Sequence, residues 1–492
     1  LARMFGASGE TDAFFLAFRI PNFMRRLFAE GSFSLAFVPV LSEYKANRDH
    51  EALRDMIDHV TGTLAAVLLL ITAIGILAAP LVLSIFAPGW LADDRPEFSL
   101  SAGMLRITFP YILLISLTAL AGGILNTFER FLIPALTPVL LNISLITAAL
   151  LLADHRAVPV TALAWGVLAA GFAQLMLQIP ALVRLGLMPR PRWGWRHTGV
   201  RRIMKLMIPT LFGSSVAQVN LLFDSIIATF LVTGSVSWLY YSDRLLEFPL
   251  GVLGIALATV ILPSLSKKHA QARSAEFSAT VDWALRLAVS ITVPAAVGLA
   301  ILAEPILITL FQYDAFQPDD VHMSALSLVA YSAGLPAFIA VKVLAPGYYA
   351  RQDTKTPVKI AVAAMVSNMA LNLLFVGLLL YSGFEGPHAG LALASSVAAY
   401  LNAILLYRGL RKRGVYNPER GWIRLWAAVI IACVTMGSLL VFMTQDIETW
   451  LQADAIDRVK NLTLTIAFGV IVYIFASMVT GLKKHDLLRG AK

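Results

Sequence analysis

The feature that most constrains this chain is a succession of apolar stretches, most of them 20 residues or longer, joined by polar connections. A stretch of about 20 apolar residues is long enough to cross the hydrocarbon core of a bilayer. Hydrocarbon offers no hydrogen bonds, so a stretch crossing it must satisfy its own backbone, which makes it a helix. Clear candidates are 59–86, 101–126, 133–153, 160–183, 203–232, 236–262, 280–311, 322–349, 357–381, 387–407, 421–443 and 461–481, with a weaker, charge-bearing one at 11–42. That is about thirteen spans. Charged residues make up only 14% of the chain and hydrophobic ones 58%. Soluble domains carry about 25% charged residues, so this is an all-α polytopic membrane protein. The lone cysteine, Cys433, lies inside an apolar run and reads as a small buried side chain.

The net charge of +9 does not call for nucleic acid, because Lys and Arg accumulate in cytoplasmic loops of membrane proteins. One connection holds Arg184, Arg190, Arg192, Arg196, Arg201 and Arg202. Others hold Lys267, Lys268 and Arg273, then Arg351, Lys355 and Lys359, then Arg408, Arg411, Lys412 and Arg413. The tail adds Lys483, Lys484 and Arg489. These groups follow alternate spans and share one side, while the intervening loops carry Asp93, Asp94, Asp319, Asp320, Glu385, Asp446 and Glu448. The bias places the C-terminus in the cytoplasm and residues 1–10 outside. A chain that starts outside with no visible signal peptide is expected to lack one upstream helix, the intact form having about fourteen spans.

An internal repeat is visible. Residues 163–187 align without gaps to 391–415, pairing Gln174 with Asn402 and Gly186 with Gly414. The surroundings of Pro138 resemble those of Pro357, and those of Pro39 resemble those of Pro263. Similar offsets imply duplicated six-helix halves of like topology, related by an axis along the membrane normal. The expected plan is an N-lobe over 1–186, a basic cytoplasmic linker over 187–202, a C-lobe over 203–414, and two additional helices with a basic tail over 415–492.

Ionisable groups within spans are costly and point to function. In DAFFLAFRIPNFMRRLFAEGSFS, a helix would put Asp12, Arg19, Arg26 and Glu30 on one face, with Arg25 about 100° round from Arg26. Pro21 and Gly31 are expected to bend or unwind this helix locally. The segment reads as a cationic cavity wall or as an interfacial amphipathic helix. In YYSDRLLEFPLGVLG, Arg244 and Glu247 are three apart, next to Asp243. They read as a local ion pair or as part of a pocket, since the planar guanidinium suits phosphate oxygens. A third set is Asp224, Asn368, Asn372 and Ser395. It could hold Na⁺ or exchange a proton, or it could serve interhelical hydrogen bonding.

Enzyme signatures are absent: there is no nucleophile elbow, zincin motif, nucleotide-binding loop or zinc-ligand spacing. The histidines, among them His59, His155, His197, His269, His322, His388 and His485, are scattered over loops and span ends. Transport would therefore draw on an ion gradient, the membrane potential or the substrate gradient.

Four stretches carry a resemblance along the entire chain: TDAFFLAFRIPNFMRRLFAEGSFSLAFVPVLSEYK, ITFPYILLISLTALAGGILNTFERF, SVSWLYYSDRLLEFPLGVLGIALATVILPSLSK and VKVLAPGYYARQDTKTPVKIA. They resemble the MurJ (MviN) lipid II flippase family of the multidrug/oligosaccharidyl-lipid/polysaccharide exporter superfamily. The resemblance implies two six-helix lobes plus two helices. It implies movement of undecaprenyl-pyrophosphate-linked disaccharide-pentapeptide to the periplasmic leaflet of the bacterial inner membrane, without a cofactor. It also implies a cationic central cavity in which Arg25 and Arg244 bind phosphate, Asp12 and Glu247 are further cavity residues, and Arg19 supplies charge. A sodium site between helices seven, eleven and twelve would involve Asp224, Asn368, Asn372 and Ser395. Expected partners are lipid II, membrane lipids and cell-wall synthesis proteins. The rivals are a lipid-linked oligosaccharide flippase of O-antigen type, a cation-coupled drug antiporter, which would want acidic cavity residues, and a lipid-linked glycan polymerase, which would need a sizeable external loop.

Overall fold

A computed structural model describes residues 1–25, 33–444 and 447–481. Among them are twenty α-helices and no strand. The first are α1 (Ala2–Phe5), α2 (Gly9–Arg25), α3 (Ser34–Asn47), α4 (His50–Leu77), α5 (Ala79–Phe86), α6 (Pro88–Ala92) and α7 (Pro96–Thr108). There follow α8 (Tyr111–Thr127), α9 (Leu132–Leu152), α10 (Thr161–Arg184), α11 (Thr198–Ala228), α12 (Ser235–Ala270), α13 (Ser274–Ile301) and α14 (Ala303–Phe311). The last are α15 (Pro318–Tyr349), α16 (Lys355–Tyr381), α17 (Ala389–Lys412), α18 (Trp422–Met443), α19 (Ile447–Gln452) and α20 (Ala455–Val479). Eleven helical stretches among the described residues are long and apolar enough to cross a membrane. The expected span at 11–42 includes most of α2 and α3, with 26–32 outside the described residues, and the one at 203–232 falls on α11 and the turn after it. Within α2 the helix continues past Pro21 to Arg25, while Gly31 lies outside the described residues.

The duplication is visible in local backbone geometry. Helices α4 and α13 each have 28 residues and end in the same way, at Ala78 (φ −92°, ψ 14°) and Leu302 (φ −90°, ψ 12°). A short helix follows in both cases, with Pro80 or Pro305 near its start. Proline has no N–H to give the preceding turn, so the long helix stops and a new one begins. Helices α10 and α17 have 24 residues each, and both of their ends coincide in the aligned repeat. Each terminates on a left-handed glycine, Gly186 (φ 68°) and Gly414 (φ 65°). Just beyond, Leu187 N–H donates to Leu182 O and Val415 N–H to Leu410 O, both at 3.0 Å, closing the same cap. The sequence pairing of Gly186 with Gly414 therefore marks one structural device used twice.

The chain divides into two compact units, residues 3–236 and 237–492. In the first, α2 packs on α7 and α8, α9 on α10, and α11 on α3, α4 and α5. In the second, α15 packs on α13 and α17, α16 on α17, and α18 on α13 and α20. Leucines such as Leu77 (82% exposed) and Leu132 (72%) face outward, which suits lipid rather than water as solvent. Because lipid is as apolar as a leucine side chain, close packing and polar contacts must hold such helices together. Between α15 and α17, Gly334 lets the backbone of Ser396 approach so closely that no Cβ would fit. There Ser396 Oγ donates to Ala330 O at 2.7 Å and Tyr400 Oη to Ala333 O at 2.9 Å.

One buried carboxylate ties the start of α18 to α13. Asp282 is 1% exposed. Its Oδ1 accepts from Tyr416 Oη at 2.7 Å and Trp422 Nε1 at 2.8 Å, and its Oδ2 accepts from Arg286 Nε at 2.6 Å. Arg286 also donates to the carbonyls of Glu419 and Arg420. Asp282→Ala strands Arg286 and the donors of Tyr416, Trp422 and the Glu419 amide, a loss of about 3–5 kcal/mol for a buried pair. Thermal unfolding of the purified protein should show a large drop in melting temperature; an unchanged value would mean that this hub contributes nothing.

Candidate functional site

The charged groups of α2 fall into two kinds. Asp12 is 2% exposed, and its Oδ2 accepts the backbone N–H of Gly234 at 2.7 Å. Gly234 has a left-handed φ of 97° in the turn between α11 and α12. The same turn is held by Thr233 Oγ1 donating to Glu97 Oε1 at 3.2 Å and by Arg95 NH1 donating to Leu231 O at 2.8 Å. Asp12 is thus one of three side chains fastening this turn. Arg19, half-buried about two turns along the same face, donates to Ser225 Oγ on α11. Its neighbour Asp224 is buried, at 6% exposure. Arg25 is half-buried near the end of α2, with Nε donating to Asn22 Oδ1 at 3.0 Å. Arg26 and Glu30 lie outside the described residues.

In the second unit the pair expected from spacing is formed: Arg244 NH1 meets Glu247 Oε2 at 2.5 Å. The two side chains are each 39% exposed, and the guanidinium lies over the Tyr240 ring, 4.9 Å from its centroid. Local geometry explains the pair, since residues three apart on a helix are neighbours. What sets it apart is access. Asp12 and Asp282 are buried in structural contacts, whereas this guanidinium, with Glu247, Asp243 and Tyr240 beside it, is more than a third exposed.

The polar triad of the second unit is also brought together. Asn368 Nδ2 donates to Ser395 Oγ at 3.2 Å, and Asn372 Nδ2 donates to Asn368 Oδ1 at 3.0 Å. Asparagines one turn apart on α16 therefore reach α17 through Asn368. Asp224, expected with them, belongs to the first unit.

Sequence reasoning missed several groups. Glu97 is buried beside the turn that Asp12 holds, and Asp282 with Arg286 forms the hub at α18. The i, i+4 spacing of Asp282 and Arg286 inside an apolar span was a usable signal. Arg458 is buried and donates to Gln312 O at 2.8 Å and Leu451 O at 2.7 Å. The structure also gathers Asp55, His59 and His197, whose donor atoms lie within 4.8 Å of one another.

Among the described residues, eleven helical stretches long and apolar enough to cross a membrane, with buried polar ties in both units, define a polytopic membrane protein. The chain matches the family described as Lipid II flippase MurJ over residues 1–459, and it belongs to that family. It is a transporter and not an enzyme. Relatives include the probable lipid II flippase MurJ of Vibrio cholerae, 47% identical over 99% of this chain and 93% of the relative. The lipid II flippase MurJ of Burkholderia cenocepacia is 43% identical over 100% of this chain and 95% of its own length. Among solved structures the chain is similar to a lipid II flippase MurJ in an inward closed conformation. That match has a TM-score of 0.80 at 26% identity, covering 97% of this chain and 94% of the other. An inward-facing MATE transporter of the MOP superfamily matches at a TM-score of 0.70 and 14% identity, over 84% of this chain and 92% of that one, a likeness of fold alone.

Asp12→Ala should leave the amide of Gly234 buried without its acceptor, at a cost of about 1–3 kcal/mol. A lowered melting temperature of the purified variant is the expected result. An unchanged one would show that the turn is held without Asp12.

Proposed function

We propose that this protein flips lipid II, the undecaprenyl-pyrophosphate-linked peptidoglycan precursor, from the cytoplasmic to the periplasmic leaflet of the bacterial inner membrane by alternating access. Support comes from the family and from relatives named for this substrate. The observation that carries the mechanism is the accessible Arg244–Glu247 pair at 2.5 Å, set on an apolar helix. In the empty transporter Glu247 neutralises the guanidinium. An incoming pyrophosphate offers more oxygens, in bidentate geometry, and displaces the carboxylate. Arg25, Arg19 and Arg26 are the cationic candidates of the first unit. The polyprenyl tail stays in lipid while the headgroup crosses. Arginine at the site disfavours a drug antiporter, whose cationic cargo calls for exposed carboxylates. The basic connections orient the C-terminus to the cytoplasm, and the working surroundings are membrane lipids and cell-wall synthesis proteins.

Arg244→Ala and Arg25→Ala should each abolish exposure of lipid II at the outer leaflet in cells depleted of their own flippase, with normal expression and insertion. Full exposure with Arg244→Ala would remove that residue from the mechanism.

Energy input is proposed to enter through a cation, Na⁺ or H⁺, or through the membrane potential. The triad Asn368, Asn372 and Ser395 offers oxygen atoms for a cation, and Asp224 is the carboxylate candidate of the first unit. Replacing Na⁺ by K⁺ should lower the melting temperature of the wild-type protein but not of Asn368→Ala. Equal response of the two proteins would exclude a sodium site at the triad.

A further inference from the structure

The connection between α10 and α11 is strapped to the first turns of α4. Arg190 N–H donates to Asp58 Oδ1 at 2.7 Å, Arg192 N–H to Asp58 O at 3.0 Å, and Gly194 N–H to Thr63 Oγ1 at 3.1 Å. A side chain at position 194 would overlap the His59 ring. Over this strap the His59 and His197 rings stack, with centroids 4.9 Å apart and planes within 8°. His59 Nδ1 hydrogen-bonds the Asp55 carbonyl at 2.8 Å, and the Asp55 carboxylate lies with one oxygen 3.4 Å from the same nitrogen, the other 3.4 Å from His197 Nε2, and Arg192 NH1 at 3.6 Å.

Three such donors invite a metal ion, and the geometry argues against one. His197 Nδ1 accepts the N–H of Gly199 at 3.1 Å as the cap of α11. The neutral ring must then carry its proton on Nε2, the atom facing Asp55. Nearly parallel, stacked rings also keep their in-plane lone pairs in separate planes, so these do not converge on one ion. The arrangement is suited to protons.

We propose that Asp55, His59 and His197 form a proton-operated clasp, which holds the connection on α4 at neutral pH and releases it on acidification. One carboxylate serves two imidazoles and a guanidinium. A proton on each ring would set like charges 4.9 Å apart beside Arg192. The other charges on the packed elements give little relief. Asp58 is committed to the strap, Glu43 on α3 is paired with Arg202 of α11 at 2.7 Å, and Arg196 and Arg201 are cations. Burial, and then the neighbouring His59, hold His197 below the ordinary histidine value of 6.5, against the pull of Asp55. The sign follows: the clasped state binds fewer protons than the released one. Its stability is therefore full above 6.5 and falls as the pH drops below it. This regulation concerns the cytoplasmic connection and stands whatever the transported lipid is.

The test is amide hydrogen exchange of the full chain in lipid nanodiscs at about pH 7.5 and about pH 5.5, corrected for intrinsic rates. In the wild type, protection of the Arg190, Arg192 and Gly194 amides should fall by about tenfold. Amides between α15 and α17 should be unaffected. His197→Asn keeps a capping acceptor for Gly199 and cannot ionise. Combined with His59→Gln, it should make protection independent of pH. Wild-type protection that is equal at both pH values would overturn the proposal, as would an equal loss in the double variant. Strong protection induced by Zn²⁺ alone would overturn it in favour of a metal site.

Discussion

Hydrocarbon solvates no polar group, and that constraint governs everything else in this structure. Backbone groups are satisfied inside helices, and where a helix stops, the stop is repaired locally. Pro80 and Pro305 begin new helices immediately after a break. Gly186 and Gly414 turn the chain so that the next amides close on the carbonyls of the last turn. Side chains obey the same rule. Asp282 gathers a guanidinium, a phenol and an indole, and Asp12 accepts a backbone amide from a left-handed turn. Such sealed carboxylates stabilise by leaving nothing unpaired, and each would cost several kcal/mol if its partners were removed.

Against this background the Arg244–Glu247 pair is distinguished by accessibility. A half-exposed pair between neighbours on one helix contributes at most a few tenths of a kcal/mol to the fold. A charge that costs something to place in a membrane protein and returns so little stability has its use elsewhere. Weak mutual attraction suits the proposed exchange, in which the guanidinium leaves its carboxylate for a substrate oxygen and then returns.

Features written in local spacing were legible in the sequence. Apolar run lengths located the helices, the alignment of 163–187 with 391–415 located the repeat, and the three-residue spacing of Arg244 and Glu247 located the pair. The one-turn spacing of Asn368 and Asn372 likewise led to the triad. Contacts between distant segments left no such trace. Nothing near Asp12 announces the amide of Gly234, and the stacking of His59 on His197 depends on how the connection after α10 folds back. Asp282 gave half a signal: Arg286 was visible one turn away, but Tyr416 and Trp422 were not. Within the stretch at 11–42 the described residues are helical on both sides, as α2 and α3.

The central claim is that Glu247 and the lipid-linked pyrophosphate compete for one guanidinium. The direct measurement is the affinity of the purified full-length protein for lipid II, in the wild type and in Glu247→Gln. If the carboxylate competes, removing its charge should tighten binding by about tenfold, or 1.4 kcal/mol, and Arg244→Ala should erase the gain. Unchanged or weaker binding by Glu247→Gln would contradict the account and leave the pair as a structural contact.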